Sequence, residues 1–112
     1  MCYIIIRNMA RKPARGPASD PELLVLSSLA EGPKHGYAIM EDIAMHAGVE
    51  MGPGTLYGAI TRLVENGWVA PLAASGRQRP YRLTGKGAEH LKAQLESMRQ
   101  LAALGLRRLR TA

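Results

Sequence analysis

The segment MGPGTLYGAITRLVENGWV, residues 51–69, leaves little choice of local structure. Pro53 suits a first helical turn, where a missing N–H costs nothing, and Gly67 of ENG suits the left-handed position that closes a helix. At about 100° per residue, Leu56, Ile60, Leu63 and Val64 share one apolar face. Gly58, Thr61, Arg62 and Glu65 fall opposite, Thr55 flanks that polar face, and Tyr57 lies on the border. The pattern predicts a helix from Pro53 or Gly54 to about Asn66 whose outward face is nearly bare of charge.

The flanking segments predict two helices before it and a hairpin and helix after it. Asp20 can cap a helix entered through Pro21 and Glu22, running to about Ala30 and stopped by EGP at 31–33. Its dense leucines predict packing on more than one side. A second helix begins near His35, with Tyr37, Met40, Ile43, Ala44 and Ala47 as its apolar stripe and Gly48 as its stop. WVAPL at 68–72 and PYRLT at 80–84 are strand-like and joined by AASGRQR, a hairpin that Pro71 and Pro80 confine to an edge. Thr84 can cap a final long helix in which Leu91, Leu95, Met98 and Ala102 recur at helical spacing, continued by Gly105 and Leu109. So short a domain offers that stripe no partner, which predicts pairing with a second copy of the chain.

The order is that of a mostly α protein with a small β-hairpin: a winged helix-turn-helix over residues 20–84 and a C-terminal dimerisation helix over 85–112. Residues 1–19, basic and rich in Pro, Gly and Ala, read as a flexible arm, and Met9 offers an alternative start. Charge is segregated: +4 in residues 1–19, −5 in 20–76 and +7 in 77–112, for a net +6. A basic hairpin and terminal helix suit a polyanionic partner. Cys2 is the one cysteine, which excludes an intramolecular disulfide. The apolar run at 2–6 is too short for a signal peptide or membrane span, so a cytoplasmic protein without membrane association is expected.

Little supports an enzyme. His35, His46, His90 and Cys2 lack metal-ligand spacing, GPG and GKG lack the remainder of a phosphate loop, and no nucleophile–base set is evident. No metal or cofactor is expected.

Small outward residues instead let a recognition helix approach a duplex. Thr55 can meet a phosphate near the free N–H groups of the first turn, Gly58 permits close approach, and Thr61 and Arg62 lie further along the same face. Arg62 suits a guanine edge or another phosphate. Tyr57 can place its hydroxyl on the DNA backbone or simply close the core boundary. Lys34, His35 and Tyr37 stand where the second helix meets a phosphate in this architecture, with capping the competing role for His35. Arg77, Gln78 and Arg79 form the hairpin tip, a minor-groove contact or a solvated turn. Trp68 is expected to fill the seam between ribbon and helices.

The ordered segments LLVLSSLAEGPKHGYAI, GPGTLYGAITRLVENGWV and RPYRLTGKGAEHL resemble the PadR-like transcriptional regulators over about residues 22–110. The single C-terminal helix is similar to that of the small subclass, and Tyr57 matches the tyrosine of the family's LY motif. The resemblance implies a homodimeric winged-helix protein, usually a repressor, that binds an inverted repeat in double-stranded DNA and is often released by a small effector at the dimer interface. Some members carry a tryptophan on the terminal helix that builds a drug pocket. With Leu101 to Gly105 here, any effector cavity would be apolar and without that aromatic platform. The competing reading is a winged-helix protein-interaction module without DNA binding, supported by the −5 of residues 20–76.

Overall fold

A computed structural model describes residues 19–74 and 76–111; apart from Ser19, the basic arm lies outside the described residues. The elements are α1 (Pro21–Leu29), β1 (Lys34–His35), α2 (Gly36–Ala47), α3 (Pro53–Glu65), β2 (Val69–Pro71), β3 (Pro80–Leu83) and α4 (Gly85–Thr111).

Asp20 opens α1 by accepting the Glu22 N–H at 3.2 Å. Val25, Leu26 and Leu29 are buried, and α1 packs against α2, α3, α4 and β3, so it is enclosed as its composition predicts. His35 caps α2, its Nδ1 accepting the Ala38 N–H at 3.4 Å, and Gly48 closes the helix at φ 69°.

The phase of α2 differs from the expected stripe. Gly36, Ile39 and Ile43 are buried with Met40 packed beside them, whereas Tyr37, Ala44 and Ala47 face outward. Alanines count as apolar in a periodicity yet bury little area, so the larger Ile39 and Ile43 decide which face turns inward.

Leu56, Ala59, Ile60 and Leu63 of α3 are buried, the face that the spacing predicts. The helix closes with the Trp68 N–H on the Leu63 carbonyl and the Gly67 N–H on the Val64 carbonyl, both at 3.0 Å. This double closure places Gly67 at φ 78°, a conformation in which a side chain would be strained.

The expected edge hairpin is part of a three-stranded antiparallel sheet with the order β1-β3-β2. Lys34 pairs with Tyr81 and His35 with Pro80 on one side of β3, and Val69 pairs with Leu83 on the other. β3 is therefore central. Pro80 is tolerated because it is the first residue of the strand and contributes its carbonyl, which accepts the Leu72 N–H at 2.8 Å.

Thr84 joins the sheet to α4: its hydroxyl accepts the Gly87 N–H at 2.9 Å and donates to the Gly67 carbonyl at 2.7 Å. Gly87 allows this close seat, since a Cβ there would lie 2.0 Å from the Trp68 carbonyl oxygen. One turn on, Leu91 is 6% exposed and belongs to the core. This corrects its expected place in a dimer seam: the first turns of α4 complete the winged-helix body, so the boundary at residue 84 divides the chain but not the core. Trp68 packs against that core and stacks on His90, with ring centroids 3.6 Å apart. At about 1.5 Å per residue α4 is roughly 40 Å long, most of the 55 Å extent of the described fold. Leu95, Leu101, Leu106 and Leu109 on its outer stretch are exposed.

Candidate nucleic-acid interface

The first turn of α2, the amino-terminal half of α3 and the tip of the β2–β3 ribbon converge on one face. Between them lies a cavity of about 310 Å3 lined by His35, Gly36, Tyr37, Tyr57, Arg77, Gln78, Arg79 and Tyr81. Seven of these eight residues, all but Gly36, carry polar side chains, and Arg77 and Arg79 supply the charge. The N–H groups that open α2, of which Ala38's is capped by His35, add partial positive charge. Such a rim suits phosphate oxygens.

The structure brings most of the expected residues to this face. Tyr37 is 61% exposed and Tyr57 45% exposed, so both phenols reach solvent. Thr55 is exposed on the first turn of α3, which has Gly52 at its cap and no capping side chain. Thr61 is exposed, and its hydroxyl donates to the Tyr57 carbonyl at 2.8 Å, leaving its lone pairs free to accept. Gly58 lies between them with open space beside it; a Cβ there would meet only the Arg62 guanidinium at 3.6 Å. A second groove, bordered by Ile60, Thr61, Pro71, Arg79 and Tyr81, runs between α3 and the ribbon, so Arg79 and Tyr81 flank both depressions.

Two expected cations are engaged elsewhere. Lys34 turns away from this face: its ammonium donates to the Ser28 carbonyl and pairs with Glu31 at 2.6 Å and Asp42 at 3.7 Å, with 14% of the side chain exposed. An ammonium with three oxygens around it ties α1, β1 and α2 together and is not free for a phosphate. Arg62 donates from Nε to Glu22 Oε2 at 2.6 Å, linking α3 to α1. The second partnership is invisible in local spacing, because Glu22 and Arg62 stand 40 residues apart, whereas Glu31 stands only three residues before Lys34. His35 serves as the α2 cap while bordering the cavity.

Tyr81 was missed by sequence reasoning. It sits mid-strand in β3, half-buried against the core, and its only sequence signal is alternation with the exposed Arg82. Without knowledge of β1, nothing places it beside His35.

Three helices, a small sheet and a ribbon with a basic tip define a winged-helix fold. The transcriptional regulator PadR-like family matches residues 25–93, and the chain belongs to that family. A PadR family transcriptional regulator from Eggerthella lenta is similar with a TM-score of 0.70 and 30% identity, over 96% of this chain and 94% of that one. A transcriptional regulator from Clostridium thermocellum is similar with a TM-score of 0.70 and 27% identity, over 78% and 87%. An uncharacterized 37.1 kDa protein in transposon TN4556 of Streptomyces fradiae is 48% identical over 84 residues, 75% of this chain; the chain spans only 24% of that curated relative's length. No helix among the described residues is long and apolar enough to cross a membrane.

Proposed function

We propose that this chain acts in the cytoplasm as a homodimeric repressor that binds an inverted repeat in a promoter. α3 enters the major groove with Thr55, Gly58 and Thr61 against the duplex, and Tyr37, Tyr57, Arg77, Gln78 and Arg79 hold the backbone around it.

The observation that carries the reading is the apolar row left uncovered on α4. Leu95 is 44% and Leu109 73% exposed, and Met98 and Ala102 lie between them on the same side. Leu106, 59% exposed, falls within about 20° of Leu95 on the helix and joins them. A solvent-facing row of this length is costly unless a second copy covers it, and two-fold pairing would set two recognition helices for two half-sites. A cavity of about 490 Å3 lies beside the start of this row, with Leu83, Leu91 and Leu95 as its apolar wall and Lys92, Glu96 and Arg99 at its rim. A partner's helix over its open side would make it a chamber for a small apolar effector.

The test is Leu95→Arg, which places a charge in the proposed seam. Sedimentation should show monomers, and the variant should lose the paired footprint on the DNA upstream of its own gene while keeping its circular dichroism. A variant that remains dimeric overturns the seam, and a wild-type protein that protects no inverted repeat overturns the operator geometry.

A further inference from the structure

Glycine at position 36 is not required by its backbone. Among the described residues the glycines with positive φ are Gly32, Gly48, Gly67 and Gly76, so residue 36 has a conformation open to side-chain-bearing residues. As the first residue of α2 it would ordinarily gain helix propensity from alanine. What forbids a side chain there is Tyr57: a Cβ at residue 36 would lie 2.2 Å from the phenolic oxygen, 2.8 Å from Cζ and 3.2 Å from Cε1. The ring leaving α3 therefore occupies the space that a side chain on α2 would fill.

Among the described residues the Tyr57 hydroxyl has no hydrogen-bond partner, and it borders the cavity shared with Arg77 and Arg79. We infer that Gly36 is a positioning residue for DNA binding: its missing side chain lets the Tyr57 phenol lie across the start of α2 and holds the hydroxyl at the rim of that cavity. The inference rests on reading this face as the DNA interface.

The clash would be relieved at the mobile end of a side chain. With Cβ at position 36, ordinary contact distances of about 3.5–4.0 Å require the phenol to move by over about 1 Å. Rotation of Tyr57 about its Cα–Cβ bond achieves this with α3 and its buried Leu56 in place. Gly36→Ala is thus expected to fold normally, with a melting temperature at or above that of the wild type, while its hydroxyl is misplaced. A displacement of that size exceeds what a hydrogen bond to a phosphate tolerates.

The experiment measures the affinity of wild type, Gly36→Ala, Tyr57→Phe and the double variant for two duplexes. One is the DNA upstream of the chain's own gene, and the other is an unrelated duplex of equal length. Both single variants should lose on the order of tenfold on both duplexes, as expected for one charge-assisted hydrogen bond to the backbone. The double variant should bind no more weakly than Tyr57→Phe, because Gly36 acts through the hydroxyl already removed. Wild-type affinity in Gly36→Ala, multiplied losses in the double variant, or a Gly36→Ala melting temperature well below wild type would each overturn the inference. If the wild type binds neither duplex, the reading of this face fails with it, an outcome distinct from the other three.

Discussion

Arg62 Nε lies 2.6 Å from Glu22 Oε2, so the one arginine on the outward face of α3 is held by the first turn of α1. The guanidinium and carboxylate are 54% and 33% exposed, so solvent screening limits the pair to about 0–1 kcal/mol of stability. Glu22→Gln should strengthen DNA affinity by releasing Arg62 and removing a negative charge, and the gain should shrink in an Arg62→Ala background. Anisotropy titrations at two salt concentrations check this; equal affinity of Glu22→Gln and wild type would show that Arg62 takes no part.

Arg77 and Arg79 provide the cations at the ribbon tip, and Arg79 also reaches the Leu72 carbonyl at 3.4 Å. Replacing both by Ala should weaken binding to all sequences alike. It should also flatten the dependence of log K on log salt by about one unit for every phosphate that is no longer neutralised. Weakening confined to one preferred sequence would mean that these side chains read bases.

Gly58 is half-buried in the middle of α3, where glycine costs about 0.5–1 kcal/mol relative to alanine. The added Cβ would meet the Arg62 guanidinium at an ordinary 3.6 Å, so Gly58→Ala should raise stability by about that amount. DNA affinity should fall, because the methyl group stands on the surface proposed to approach the duplex. Thermal melts paired with binding measurements separate the two effects; a stabilised variant that binds normally would remove Gly58 from the interface.

Leu91 and Leu95 lie about one turn apart on α4 with different environments, one in the core and the other 44% exposed. Leu91→Ala should cost about 2–5 kcal/mol in chemical denaturation, through reduced burial and the cavity left behind. Leu95→Ala should cost far less in monomer stability and act on association instead.

The extents of α1, α3 and α4 were legible because capping and helical spacing involve residues within a turn or two of one another. Asp20, Gly67 and Thr84 act where the sequence places them, and the buried face of α3 is the expected one. Spacing alone misjudged α2, where Ala44 and Ala47 fit a stripe but stay exposed, and it missed β1, whose two residues are too few to show alternation. The candidate site was legible as a set of residue types on α3 and the ribbon, not as a cavity. Tyr81 enters it only because Lys34 pairs with Tyr81 across the sheet.

The sequence by itself determined the order of the four helices and the β2–β3 hairpin, the main caps and the apolar face of α3, since those follow from short-range geometry and side-chain chemistry. Only the tertiary structure decided that β3 is central, that Leu91 belongs to the core, that Lys34 reaches Asp42 and Arg62 reaches Glu22, and that Tyr57 fills the space above Gly36. Each of these depends on which distant segment arrives beside a residue, and that is settled by the packing of α1, the sheet and α4 around one core.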